Sequence, residues 1–203
     1  MLELHYFPNI IQYTAGLHSD VFDTVGDMPY QKRSFQNRCI LAGSNGPLIL
    51  SIPIEGGRNV RQSYHDVLIC TRTRWRDQHW KSIASAYGKS PLFYQYANSL
   101  YELYQSPFTH LLKWNLACLQ WVDQSLGIST LDRQNESPSH PQPIKPSCTP
   151  RDYSDPMHGP FPRYPQVFSN KLGFLPNLSI LDFVLCMGRS GMPFFRSVRA
   201  DLA

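Results

Sequence analysis

Between residues 73 and 88, Trp75, His79, Ile83 and Tyr87 recur at four-residue spacing and therefore share one stripe of a helix. Trp80 and Ala84 flank the stripe, while Arg72, Arg74, Arg76 and Lys81 lie off it with Asp77 and Gln78 between them. Gly88 is placed to cap this helix and Pro91 to start the next. Phe93, Ala97, Leu100 and Tyr104 give a second stripe. A third helix is predicted over 108–126, with Leu112, Leu116, Leu119, Val122 and Leu126 facing a core and Gly127 ending it. Before residue 73 the period shortens. Two apolar runs, 39–42 and 47–54, flank Gly43-Ser44-Asn45-Gly46 and predict a hairpin. Leu48, Leu50, Ile52 and Ile54 alternate onto one face, and Pro53 puts that strand's end at an edge or a bulge.

Further short strands are predicted at the start of the chain, at 20–25 and at 65–70, with a helix over 10–17. Pro8 biases Phe7 towards extended geometry. Near the other end, Ser179 and Asp182 have capping-box spacing, and the apolar run from Ile180 to Leu185 covers nearly every side of a buried helix at 178–187. Strands early and helices later predict an α/β fold in one domain spanning 1–203: a mixed sheet from the N-terminal third, packed by helices from the middle and C-terminal parts. Nine of the 17 prolines fall between Ser137 and Pro165, so 137–163 is expected to be loop. Residues 192–203 read as a loose tail.

Composition narrows the function classes. Of 203 residues, 42% are hydrophobic and 17% charged, which is globular. A net charge of +4 suits an anionic small molecule but falls short of the basic density of a nucleic-acid binder, and no nucleic-acid motif accompanies it. Five widely spaced cysteines without a Cys-x-x-Cys pair fit free thiols in a reducing cytoplasm. Neither a secretory signal nor a membrane-length apolar run is apparent, so a cytoplasmic protein is expected. His140 and His158 lack chelating spacing, and Gly56-Gly57 has no Walker or dinucleotide pattern around it. The sequence therefore names no metal and no cofactor.

The densest polar chemistry lies in Tyr30-Gln31-Lys32-Arg33-Ser34-Phe35-Gln36-Asn37-Arg38. Adjacent cations repel unless an anion screens them, and the Arg fork matches carboxylate or phosphate. A solvated strand edge would have the same composition. Tyr30 and Phe35 argue that the segment is held against a core. Asp27, at a predicted strand end, is either a turn carboxylate or a general base. His79 is either a satisfied core histidine or a second base. His5 reads as a surface histidine.

Asp20-Val21-Phe22, Asp27 and Gln31 to Arg38 together resemble the signature of the WbqC-like family. Trp75, His79-Trp80-Lys81, Ala86-Tyr87, Lys89 and Pro91 resemble its second block, and Asn177 to Asp182 with Gly188 a third. Where the family often reads His-Gln-Pro-Asn before Tyr-Phe-Pro, this chain has Leu2-Glu3-Leu4-His5, so His5 is either a displaced substitute for the family's histidine or a surface residue, and of the family's two acidic residues near Asp27 the chain keeps the second. The resemblance implies bacterial surface-polysaccharide biosynthesis. The expectation is an enzyme, a transferase, acting on an anionic activated metabolite such as a sugar nucleotide or acyl donor. Asp27 and His79 would be its catalytic residues, and Lys32, Arg33, Asn37, Arg38 and Tyr87 would bind substrate. The alternative is a non-catalytic ligand-binding or scaffold protein of a glycan pathway.

Overall fold

The computed structural model describes residues 2–18, 22, 29–56, 62–128, 130 and 161–197. Asp27, most of the strand expected at 20–25, and residues 137–160 of the proline-rich segment lie outside the described residues.

The chain is α/β. Helix α1 (Ile10–His18) precedes an antiparallel hairpin of β1 (Arg38–Gly43) and β2 (Gly46–Ser51). Three longer helices follow, α2 (Trp75–Tyr87), α3 (Phe93–Gln105) and α4 (Leu111–Leu126), then the short α5 (Ser169–Leu172) and α6 (Ile180–Cys186). The hairpin register pairs Arg38 with Ser51 and Gly43 with Gly46, so Ser44-Asn45 is the two-residue turn. Gly46, the first residue after the turn, has φ 124°, a backbone that side chains resist. Along β2 the even positions face inward, with Leu50 buried and Ile49 exposed, as the alternation predicts.

Among the described residues the sheet is smaller than expected, two antiparallel strands. Residues 64–66 form a 3-10 turn, and Leu68 and Ile69 make only isolated bridges, to His110 and Ile54. Leu2 bridges Phe22 in parallel. Phe7 departs from the extended conformation that Pro8 favours, with φ at 43°. Its carbonyl accepts a hydrogen bond from Ser179 Oγ (2.8 Å), while the Ile180 N–H donates to Pro8 O (2.7 Å). Tertiary bonds thus override the local preference.

The α2 stripe holds as expected, while in α3 Tyr96 is buried where Ala97 was expected and in α4 Leu116 is half-buried. Trp75, His79, Ile83 and Tyr87 are the buried residues of α2, and Phe93, Tyr96, Leu100 and Tyr104 those of α3. Gly127 ends α4 at φ 71°, and the Arg189 guanidinium fills the space where a Cβ would sit. Every residue of α6 is buried. Ser179 caps it by accepting from the Leu181 N–H (3.2 Å), but Asp182 does not close a capping box. Its carboxylate instead accepts from the hydroxyls of Tyr87 (2.5 Å) and Tyr164 (2.6 Å), and Tyr87's oxygen accepts from the Ala42 N–H (2.9 Å). The expected loose tail is anchored over its described part: Phe195 is buried against Phe183 (4.8 Å) and Tyr13 (5.6 Å). The four described cysteines are free thiols, with Cys39, Cys118 and Cys186 buried.

Burial raises the Asp182 carboxyl to about 6, although both tyrosines pull it down. Its pKa in the unfolded chain is about 3.8, so Asp182 contributes most stability below that pH and loses it as pH rises through 6. The stability difference between wild type and Asp182→Asn should therefore shift against wild type by about 3 kcal/mol between pH 3.5 and 7. Urea unfolding across that range measures it.

Candidate functional site

The segment 30–38 is a polar arch anchored by its aromatic residues. Tyr30 and Phe35 are buried, as the interleaving suggested. Between them the chain turns tightly, with Arg33 at φ 58°, a left-handed conformation uncommon outside glycine. Gln36, fully buried, holds the arch from inside. Its Oε1 accepts from the Gln31 N–H (2.6 Å), and its Nε2 donates to Glu3 Oε1 (2.7 Å). Ser34 Oγ donates to Gln31 O (2.7 Å). Lys32 and Arg33 stand exposed on the crest, and neither forms a salt bridge with a described carboxylate.

Beneath the arch lies a buried polar floor. His5 is 5% exposed, not a surface residue. Its ring stacks on Phe35 at 5.5 Å, and Nε2 bonds Glu3 Oε2 at 3.0 Å. Asn115 of α4 is fully buried and donates from Nδ2 to Gln36 O (2.6 Å) and to the Tyr64 hydroxyl, which itself donates to Leu4 O (2.8 Å). Asn37 Nδ2 donates to Ile52 O (2.9 Å). These donations fix the amide orientations. Four buried atoms on or beside residues 35–38 then have no partner: His5 Nδ1, Asn37 Oδ1, Asn115 Oδ1 and Arg38 Nε. Leaving each unpaired costs about 1–3 kcal/mol; Trp75, Arg76, Ser90 and Trp114 carry the other such atoms among the described residues. Burial pushes the Tyr30 phenol up to about 12, while the Arg38 charge pulls it back, which puts the guanidinium near this ring.

His79 approaches the same end of the hairpin from α2. It hydrogen-bonds the backbone of Ser51, the register partner of Arg38. The ring is 6% exposed and packs on Trp75 (5.1 Å) and Tyr6 (5.9 Å). Burial lowers the imidazole to about 4, against a smaller upward pull from Ser51, so it is neutral at pH 7. With a ring N–H given to Ser51, Nδ1 accepts from the Tyr6 hydroxyl (3.0 Å), which in turn lies 2.5 Å from the Tyr104 hydroxyl. Asn37, Arg38 and His79 thus gather at the open end of the hairpin, below Lys32 and Arg33. Tyr87 lies two helical turns further along α2, bonded to Ala42 and Asp182. Four strand residues, roughly 13 Å, separate Ala42 from Arg38. Glu3, Tyr64 and Asn115 join the site unforeseen, and His5 joins it in place of its expected surface position. Only Asn115 had a readable signal, a polar residue on the apolar stripe between Leu112 and Leu119.

The model of the WbqC-like protein family matches residues 5–142, which include the arch, His79 and Asn115. The chain belongs to the WbqC-like family. An uncharacterized protein of Mycobacterium tuberculosis is 30% identical over 112 residues, 55% of this chain and 48% of that protein, so the alignment spans about half of that relative. No solved structure matches the chain significantly. The family match ends before α6, whose role in the WbqC-like chain is read from its packing alone. Among the described residues, no helix is long and apolar enough to cross a membrane.

His79 makes a pH-dependent contribution of opposite sign to Asp182. Its folded pKa lies below the unfolded value of 6.5, so its stabilisation is complete above 6.5 and is lost as pH falls towards 4. His79→Gln should remove that acid-side loss, about 3 kcal/mol between pH 7 and pH 4, and leave a chain that gains stability on mild acidification. Thermal unfolding at stepped pH measures this.

Proposed function

We propose that this WbqC-like protein binds an anionic activated metabolite, a sugar nucleotide or acyl donor, on the arch and transfers a group from it. Family membership supports a role in polysaccharide-related biosynthesis. The observation that carries the reading is Arg38: its side chain is half-buried at the site, its Nε is unpaired, and it makes no salt bridge with a described carboxylate. A phosphate or carboxylate would accept from this fork in bidentate fashion, with Lys32 and Arg33 adding charge from the crest. Held in place, the same cations would stabilise charge that builds on the transferred group. Asp27 and His79 are the proposed general bases. His79 is neutral at working pH, as a base must be, but both ring nitrogens are engaged, so it handles a substrate proton only through the Tyr6 hydroxyl.

That engagement of His79 supports a second reading, a non-catalytic protein that binds the same anion. The two separate at Asp27. An enzyme loses turnover in Asp27→Asn while keeping affinity; a binding protein shows no turnover to lose.

Thermal unfolding with nucleotide sugars and acyl-coenzyme A esters tests the common premise, because a ligand of the folded state raises the melting temperature. At least one class should do so. Arg38→Lys, which keeps the charge and loses the fork, should weaken that ligand at least tenfold while the unliganded melting temperature changes little. Unchanged affinity in Arg38→Lys would remove the arch from consideration.

A further inference from the structure

At the other end of the hairpin a groove of about 390 Å³ opens between the β1–β2 turn and α2. Its size falls within the range of small-molecule sites. Lys81, Ser82, Ser85 and Ala86 line one wall, Gly43, Ser44 and Leu48 the other, with Phe168 at the side. Lys81 is exposed and forms no salt bridge with a described carboxylate. A second ammonium lies beside the groove, at the turn: Lys171 Nζ donates to the carbonyl of the lining residue Ser44 (2.7 Å) and to Asn45 Oδ1 (3.3 Å), neutral acceptors that leave its charge uncompensated. Among the described residues no carboxylate lines the groove. Two unscreened ammonium groups at one cleft repel and favour an anion between them. Serine hydroxyls at 82 and 85, one helical turn apart, face the same side as hydrogen-bond donors.

We propose that this groove is a second binding site, for a nucleoside phosphate. The phosphate sits between Lys81 and Lys171 with the hydroxyls of Ser82 and Ser85 on its oxygens. The flat base lies on the apolar part of the lining, Leu48, Ala86 and Phe168, whose ring supplies a stacking face. The length of β1, roughly 17 Å from Arg38 to Gly43, keeps this ligand off the arch. The proposal therefore stands or falls independently of the reading of Arg38.

Isothermal titration of the full chain with uridine and adenosine 5′-monophosphates tests it, with uridine, inorganic phosphate and glucose 1-phosphate as comparison probes. At least one nucleotide should bind saturably and at least tenfold more tightly than its nucleoside or either non-aromatic phosphate. Lys81→Glu, a change at an exposed residue, should abolish that binding, Phe168→Ala should weaken it about fivefold, and Arg38→Lys should leave it unchanged. The proposal is overturned by absent saturable binding, by equal affinity for glucose 1-phosphate, or by an affinity that follows Arg38 and ignores Lys81.

Discussion

One buried carboxylate ties this molecule together. Asp182 sits on a helix with no solvent-facing side, and an unpaired charge there would be strongly destabilising. Two tyrosine hydroxyls meet it, each from a different part of the chain: Tyr87 from the end of α2 and Tyr164 from the segment leading to α5. Through the Ala42 N–H, Tyr87 passes the connection to β1. The end of α2 and the turn end of the hairpin are thereby fixed relative to the core. Because α2 is rigid, His79 two turns earlier is delivered to the hairpin's open end. The geometry of the candidate site therefore depends on an acid–phenol contact at the far end of the same helix.

The hairpin works as a ruler between two chemically different ends. At the open end, hydrogen-bonding groups are buried and several lack partners; at the turn end, cations and hydroxyls stand in the open. α2 spans both, with its buried stripe on the core and Lys81, Ser82 and Ser85 on its outer side. A single helix can serve two ends in this way because its 3.6-residue period places neighbours such as His79 and Lys81 on different faces.

Much of this was legible in the sequence, and the exceptions have physical causes. The helix stripes and the Asn-Gly turn are local signals, so α2, α3, α4 and the hairpin could be read directly. Leu68 and Ile69 look like a strand because they are apolar and branched, but their backbone partners, His110 and Ile54, are offered only singly, and no ladder forms. The sequence motif placed Tyr87 with the site, whereas its hydroxyl answers a carboxylate 95 residues away that no local pattern reveals. His5 looked exposed for the same reason. Of its neighbours in space, Phe35 is brought by the arch, and only Glu3 is near in sequence. Asn115 was readable in principle, since an amide on an apolar stripe needs a partner within the core.

The first helix is completed from the opposite end of the chain. Asn9 Oδ1 accepts from the Gln12 N–H (2.9 Å), but the neighbouring Ile11 N–H is satisfied by Asn177 Oδ1 (3.1 Å), and the Ile10 N–H by Leu178 O (3.0 Å). Nothing nearer in sequence supplies those acceptors. During synthesis the N-terminal segment, with its buried Leu4, Tyr6, Phe7 and Ile10, therefore leaves the ribosome long before the residues that will cover and cap it. Contacts of such long sequence separation close late and make folding slow. Tyr6 and Phe7 can pack on Trp114 and Trp121 earlier, but the Ile10 and Ile11 N–H groups wait for residues 177–178, and a truncation before Asn177 would leave those two donors without their acceptors.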